Sequence, residues 1–186
     1  MFSRAAQTAS SKYDDLDALW AKDVQLIRRT MEILPESDLD YYTERPKAFV
    51  SCLPDEGVGS FHIFLSMFAA DSIVSMDAWG VEKNPADIDQ PTYATWSIDV
   101  HPLPPTLVVT RISAAESEFP ELLRRIQEAA RKSGIGKMEI WNIPKHLLKA
   151  AAETGGQTFE RMGHFPAIKW YGAGKTVDIE WVFNEK

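Results

Sequence analysis

The chain has 186 residues, of which 45% are hydrophobic and 25% are charged, a composition that fits a globular domain and excludes a disordered chain. Its formal net charge is −7, and neither half is basic enough to form the dense cationic face that binds nucleic acid. No run approaches the roughly 18 apolar residues of a membrane span, so we expect no membrane partner. Cys52 is the single cysteine, which rules out an internal disulfide and favours a reducing compartment, the cytoplasm.

The start of the chain divides into a polar stretch and a long amphipathic pattern. Residues 1–12 are small and polar and carry no apolar period, so we predict a disordered tail there and a single domain over 13–186. From Leu16 to Met31 apolar residues recur every three or four positions. This spacing predicts a helix with one buried face, which Pro35 ends.

Shorter elements are predicted between residues 47 and 92. Residues 47–53 are rich in apolar side chains and predict a strand, with Cys52 in the core. Ser60 can cap a helix in which four apolar residues share helical spacing: Phe61, Phe64, Leu65 and Phe68. Two Pro residues and a Gly in residues 80–92 predict a loop.

Two strong strand patterns follow. Residues 93–100 alternate, and one face consists of Ala94, Trp96, Ile98 and Val100. Residues 106–112 are almost continuously apolar, which is typical of a central strand that is buried on both faces. Apolar residues then return to helical spacing from Phe119 to Ala130, and Lys132 and Gly134 give an end signal for this helix.

The last third of the chain continues to alternate strands and helices. Residues 137–142 predict a strand, and Pro144 begins a helix that ends at Gly155. Further strands are predicted over 158–161, 167–171 and 177–183. The resulting order, from residue 93 onward, predicts an α/β (α+β) domain in which helices flank a mixed sheet.

Three aromatic and acidic stretches carry a family resemblance: Met138–Asn142, Ala167–Gly172 and Asp178–Lys186. Together with the helix from Leu16 to Met31, they resemble the C-terminal domain of the fungal lysine N-acetyltransferase-like proteins. In that family a catalytic GNAT domain, which holds acetyl-CoA, precedes a GNAT-like C-terminal domain. The resemblance implies a GNAT-like fold and a catalytic GNAT partner domain on the same chain or on another.

The link between the central strand and its following helix departs from the GNAT pattern. GNAT enzymes hold the acetyl-CoA pyrophosphate with a Gly-rich turn, because small residues let backbone N–H groups reach the phosphates beside a helix N-terminus. Residues 113–120 contain no glycine, whereas Glu116 and Glu118 add two carboxylates and Pro120 lacks an N–H group. We therefore predict no cofactor; acetyl-CoA would be one only if this atypical link tolerates it.

The candidate binding site combines acids with aromatic rings. Strand parity places Glu139 and Trp141 on one face of their strand. A carboxylate beside an aromatic ring can hold an ammonium group by charge and through the ring face, which predicts a small amine as the ligand. The complete candidate set is Glu139, Trp141, Asn142, Trp170, Glu180 and Trp181. The open alternative is that the Trp residues are core and the acids are solvated.

The other candidate side chains give no catalytic assignment. The four histidines are scattered, so we predict no metal site. GNAT enzymes often use a Tyr of the last helix as general acid, and residues 145–154 contain none. His146, in the first turn of that helix, has a solvated or capping role as its simplest interpretation.

Three functions remain open. The first is a GNAT-like, non-catalytic half of a lysine acetyltransferase-like protein that contributes substrate-side or interaction surface. The second is a free-standing GNAT-like domain that binds or transforms a small metabolite without acetyl-CoA. The third is an active acyltransferase with an unusual cofactor link. Binding of acetyl-CoA separates the third function from the first two.

Overall fold

A computed structural model describes ten parts of the chain: residues 2–4, 13–37, 48–54, 63–66, 68–69, 74–83, 91–141, 143–160, 171 and 179–183. In residues 2–4, 13–15, 33–37, 48–49 and 179–183 the description covers the backbone only. The main helices are α1 (Tyr13–Ser37), α2 (Phe119–Lys132) and the short α3 (Leu148–Glu153), which follows a 3₁₀ turn, Lys145–Leu147. Residues 63–66 and 68–69 are also helical.

The strands form one larger and one smaller sheet. The larger sheet has the order β1 (Phe2–Arg4), β3 (Gly80–Lys83), β4 (Thr92–Asp99), β5 (Thr106–Ser113) and β6 (Lys137–Ile140). Its neighbours pair antiparallel except β5 and β6, which are parallel and are connected through α2. The smaller sheet pairs β2 (Ala48–Ser51) with β7 (Ile179–Phe183) in parallel. The fold is therefore the expected α+β arrangement of a mixed sheet with flanking helices.

Helix α2 covers one face of the larger sheet, as its sequence predicts. Five side chains on one side of the helix are buried: Phe119, Leu122, Leu123, Ile126 and Ala130. The helix ends before Gly134, whose φ of +71° is a left-handed conformation that only glycine adopts without cost. Burial of a single apolar stripe thus fixes how α2 lies on the sheet between β5 and β6.

The register of β4 sorts side chains onto the two faces of the larger sheet. Tyr93 bonds to Asp23 of α1, so Tyr93, Thr95 and Ser97 face α1. Trp96 lines a small cavity with Ala129 of α2, so the alternate residues of β4 face α2. Every β4 residue except Asp99 is buried. The polar face of β4 is therefore an interior surface that α1 covers.

The prediction of a loop over residues 80–92 is wrong for Gly80–Lys83, which form β3 between β1 and β4. A Cβ atom at Gly80 would lie 3.0 Å from the carbonyl oxygen of Ala94 and 3.4 Å from the side chain of Leu16. The glycine therefore permits a close approach of β3 to β4 and α1. Glycine in a sequence usually indicates a loop, but here it allows close packing of a strand against its neighbours.

Three further predictions about the first half of the chain are wrong. The expected tail over residues 1–12 is not disordered at Phe2–Arg4, which pair antiparallel with β3; the rest of that stretch lies outside the described residues. Helix α1 does not end at Pro35 but two residues later. Proline removes only one N–H donor from this last turn, so the helix ends just after it. Cys52 is exposed because β2 ends at Ser51.

The predicted helical conformation is confirmed for residues 63–66 and 68–69. Ile63 and Ser66 are buried, whereas Phe64, Leu65 and Phe68 are exposed. Apolar spacing therefore identified the helix, but it does not identify the side chains that are buried. Phe61 lies outside the described residues, as does the predicted strand over 167–171 apart from Tyr171.

Near the end of the chain, residues 158–160 carry no regular structure, so the prediction of a strand that begins at Thr158 is wrong for them. The strand predicted over 177–183 is confirmed as β7, and it pairs with β2 in the smaller sheet.

A buried charged cluster joins α1 to the larger sheet. The carboxylate of Asp23 accepts a hydrogen bond from the Tyr93 hydroxyl and forms an ion pair with Arg111 of β5. Asp23 and Tyr93 are each only 1% exposed. Burial raises the pKa of Tyr93 well above its ordinary value, and the negative charge of Asp23 raises it further. The cluster therefore fixes α1 at one position on the polar face of β4.

We expect Arg111→Met to lower the free energy of unfolding by about 3–5 kcal/mol, because Asp23 would remain as a buried charge without its ion-pair partner. Urea unfolding measures this loss. The matched control is Arg124→Met on α2, where the ion pair with Glu121 is exposed and we expect a much smaller loss. Equal losses in the two variants would show that the buried cluster does not position α1.

Candidate functional site

The parallel strands β5 and β6 separate near the end of β6. Their last paired residues are Val109 and Ile140, and the N–H of Trp141 donates to the Val109 carbonyl at 3.1 Å. Strand β5 continues to Ser113, while the chain after β6 turns into the 3₁₀ segment before α3. The end of the sheet between these strands is the place where an open α/β sheet can form a crevice.

The link from β5 to α2 closes on itself through its own backbone. The carbonyl oxygen of Ala115 accepts the N–H groups of Glu118 and Phe119 at 3.0 and 3.1 Å, respectively. Pro120 follows in the first turn of α2 and has no N–H group. The N–H of Leu122 donates to the Glu118 carbonyl at 3.1 Å. The N–H groups of Glu118, Phe119 and Leu122 are thus used within the turn and Pro120 has none, which leaves fewer donors for an anion.

The side chains of this link add negative charge. Glu116 is exposed, and Glu118 forms an ion pair with Lys83 of β3. Glu121 lies in the first turn of α2, where its hydrogen bond from Arg124 lowers its pKa to about 2. Carboxylates are favourable at a helix N-terminus because they complement its positive end. The carboxylates of these three residues therefore already provide, near the N-terminus of α2, the negative charge that a bound phosphate would add.

His146 ties the link to the 3₁₀ turn. Its Nε2 atom lies 3.0 Å from the carbonyl oxygen of Ala114, and because a carbonyl only accepts, Nε2 carries the proton. Ala114 is buried, so this contact satisfies a carbonyl group at the separated ends of β5 and β6. The sequence predicted that His146 lies in the first turn of a helix. It did not predict this contact, because Ala114 is 32 residues away in the chain.

The expected pairing of Glu139 and Trp141 is present. The indole N–H of Trp141 donates to Oε2 of Glu139 at 3.0 Å, as their position on one face of the strand predicts. Oε1 of Glu139 lies 2.7 Å from Nζ of Lys137, two residues before it. The carboxylate therefore already holds one ammonium group. Sequence reasoning missed Lys137, although the same strand parity places it on this face.

None of the other four predicted site residues has a described side chain, so no contact with Glu139 or Trp141 is seen for them. Asn142 and Trp170 lie outside the described residues. The backbones of Glu180 and Trp181 lie in β7, where they pair with Phe49 and Val50 of the smaller sheet. Strand β6 belongs to the larger sheet, so Glu139 and Glu180 do not lie on paired strands. Whether all six residues share one crevice stays a prediction.

A cavity of about 480 Å³ lies between α2, β6 and α3. Its walls include the apolar residues Phe119, Leu123, Met138, Ile140, Leu148 and Ala151. Register places Ile140 opposite Val109 and Val109 opposite Trp96, so the cavity lies on the sheet face that α2 covers. Glu139 pairs with Val108, and its side chain therefore points to the other face. Glu139 and Trp141 nevertheless both border the cavity at this edge strand.

Two classes of feature are absent from the described part of the chain. Among those residues no three His, Cys, Asp or Glu side chains come together as a metal site. Across the same ranges no helix is long and apolar enough to cross a membrane.

Comparison with protein families gives one match over almost the whole chain. The family model described as the LYC1 GNAT-like C-terminal domain matches residues 4–186. The chain belongs to this family. The resemblance drawn from the three aromatic and acidic stretches is therefore confirmed. Because the match begins at Arg4, it also includes most of the stretch that was expected to be a tail.

Two solved structures show a partial similarity to this chain. The protein TTHA1254 of Thermus thermophilus is similar to this chain with 19% identity as wild type and 18% as a point mutant. The TM-scores are 0.38 and 0.39, and each alignment covers 52% of this chain and 73% of the other. No curated protein is a significant sequence match.

We expect His146→Ala to lower the free energy of unfolding by about 0.5–1.5 kcal/mol, because the buried carbonyl of Ala114 would lose its donor. Chemical denaturation measures the change. His146→Gln is the matched control, since its side-chain amide can still donate and should recover part of the loss. If His146→Ala unfolds at the same urea concentration as the parent, the contact does not fix the link.

Proposed function

We propose that this LYC1 GNAT-like domain does not bind acetyl-CoA and is not catalytic by itself. It contributes substrate-side or interaction surface to a lysine N-acetyltransferase-like protein, beside a catalytic GNAT domain on the same chain or on a partner chain. The observation that carries the proposal is the closed turn in which Ala115 accepts the N–H groups of Glu118 and Phe119. In a GNAT enzyme the corresponding N–H groups must point at a pyrophosphate.

Opening the turn for a cofactor would be unfavourable in two ways. It would break two backbone hydrogen bonds, each worth about 0.5–1.5 kcal/mol. It would also bring phosphate charges towards the carboxylates of Glu116 and Glu118, and like charges about 4 Å apart near a protein surface repel by about 4 kcal/mol. Pro120 supplies no N–H group in return. These terms together favour the closed, cofactor-free turn.

The helix after β6 supports a role without catalysis. In GNAT enzymes this helix often carries a Tyr as general acid, but α3 and the 3₁₀ turn before it contain none. Their titratable residue at the link is His146, which is committed to the carbonyl of Ala114. A side chain that holds the backbone in place is poorly positioned to move a proton to a substrate.

We expect calorimetry to detect no binding of acetyl-CoA to the parent chain at micromolar concentrations. A variant with Glu116→Gln and Glu118→Gln tests the cause, because it removes both charges and keeps the backbone turn. We expect this variant to bind no better, since the N–H groups remain used. A micromolar Kd for the parent would contradict the proposal. Binding by the variant alone would show that charge, rather than the closed turn, excludes the cofactor.

The second candidate function, a domain that binds a small metabolite without acetyl-CoA, is favoured by the cavity of about 480 Å³ beside β6. Cavities of roughly 300–1,000 Å³ are the usual size of small-molecule sites. The walls are mainly apolar, so this feature favours a largely apolar ligand.

We also propose that Glu139 and Trp141 form part of a site for a small amine. Glu139 already holds the ammonium group of Lys137 at 2.7 Å, and its second oxygen is oriented by the Trp141 indole N–H. The Glu139 side chain is 16% exposed and that of Lys137 is 57% exposed. An exposed lysine makes a weak ion pair, so a ligand amine can replace it on the more buried carboxylate.

We expect Glu139→Gln to reduce the affinity for L-lysine or butylamine at least tenfold, because the variant keeps the shape and loses the charge. Lys137→Met should raise the affinity, since it removes the competing ammonium group. Glu180→Gln should also reduce the affinity if that side chain shares the site. Glu153→Gln on the exposed surface of α3 is the control and should change nothing. If calorimetry shows no amine binding to either the parent or Lys137→Met, the site does not exist.

A further inference from the structure

We propose that the cavity between α2, β6 and α3 binds an uncharged molecule with an aliphatic or aromatic body. This inference rests on the second candidate function and names its ligand class. It differs from the amine site in the group that binds: Glu139 and Trp141 border the cavity, but register turns the Glu139 carboxylate to the other face, where it pairs with Lys137. It is also independent of acetyl-CoA binding, because the cavity is the same whether or not the chain binds acetyl-CoA.

The shape of the cavity comes from three elements that diverge around the edge of the sheet. Helix α2 contributes Phe119 and Leu123, and the edge strand β6 contributes Met138 and Ile140. The far wall is α3 with the turn at Gly155, whose φ of +86° reverses the chain after the helix. A volume of about 480 Å³ between them is within the range of small-molecule sites.

The scarcity of charge among the described lining residues selects the ligand class. Glu139 is the only charged residue among the described lining residues, and its side chain points to the other face, where it bonds to Lys137. The charged residues of α3, Lys149 and Glu153, lie outside the lining and face each other. A charged ligand would lose its hydration in the cavity without gaining a partner. A neutral ligand has no such cost.

The rim supplies a second observation. Leu148 and Phe159 line the cavity and are 40% and 64% exposed, which places large apolar side chains at its opening. Exposed apolar surface beside a concave apolar wall is typical of ligand sites. The side-chain amide of Gln127, also in the wall, is one of the groups that can orient a hydroxyl or carbonyl of the ligand.

The test uses one alkyl chain with three head groups: 1-octanol, octanoate and octylammonium. We expect 1-octanol to bind the parent chain in a calorimetric titration and to raise its Tm by about 5 °C at a hundredfold excess over Kd. Octanoate and octylammonium should bind at least tenfold more weakly. Failure of all three to bind would overturn the proposal. Tightest binding by octylammonium, lost in Glu139→Gln, would overturn it in favour of the amine site.

Two variants of α3 locate the site. Ala152→Phe places a ring in the cavity wall and should weaken 1-octanol binding at least tenfold, whereas Lys149→Phe adds the same ring outside the lining and should leave binding unchanged. Leu148→Glu, which puts a charge at the rim, is a second test if Ala152→Phe does not fold. Unchanged binding in folded cavity variants would overturn the assignment. A Tm that rises with protein concentration, without ligand, would show that a second copy fills the cavity instead.

Discussion

The carbonyl oxygen of Ala115 accepts two backbone N–H groups, and these two hydrogen bonds close the link between β5 and α2 at the end of the sheet. Helix N-termini bind anions because their first N–H groups lack partners within the helix. Here the chain supplies the partners itself, and Pro120 removes a further donor. The chain therefore combines a GNAT-like domain with a closed turn before α2, and on this turn we base the proposal that the domain does not bind acetyl-CoA.

The surrounding contacts hold that turn from both sides. Lys83 of β3 pairs with Glu118, and His146 of the 3₁₀ turn holds the carbonyl of Ala114. These contacts connect the link to elements that come before and after it in sequence. On the opposite face, the Asp23 cluster fixes α1 over the polar side of β4. The charged and polar interior groups thus hold these elements in place, and we propose that recognition takes place at the outer surface and at the cavity beside β6.

Apolar periodicity predicted the parts of the fold in which burial alone sets the pattern. Helix α2 and strands β4 and β5 were identified because each buries a regular set of side chains. Strand β3 was missed because its conformation depends on pairing with β4, and its glycine is a loop signal in isolation. The edge strand β1 was missed for the same reason, since three residues carry no period.

The candidate site was predictable only where strand parity applies. Parity brought Glu139 and Trp141 together, and it would also have found Lys137 on the same face. The contact of His146 with Ala114 joins residues that are 32 positions apart, so no local pattern encodes it. The cavity was equally hidden, because it arises from the divergence of α2 and α3 around β6. The lack of glycine in the link, by contrast, was visible in sequence, and the absence of a cofactor that it predicts stays a prediction.

The most direct test of the closed turn is an NMR titration that follows the backbone amide signals of residues 114–122 as acetyl-CoA is added. We expect the signals of Glu118 and Phe119 to stay in place at millimolar acetyl-CoA, because their N–H groups remain bonded to Ala115. Saturable shifts of these two amides, with a Kd in the micromolar range, would show that the turn opens for the cofactor and would contradict a non-catalytic role.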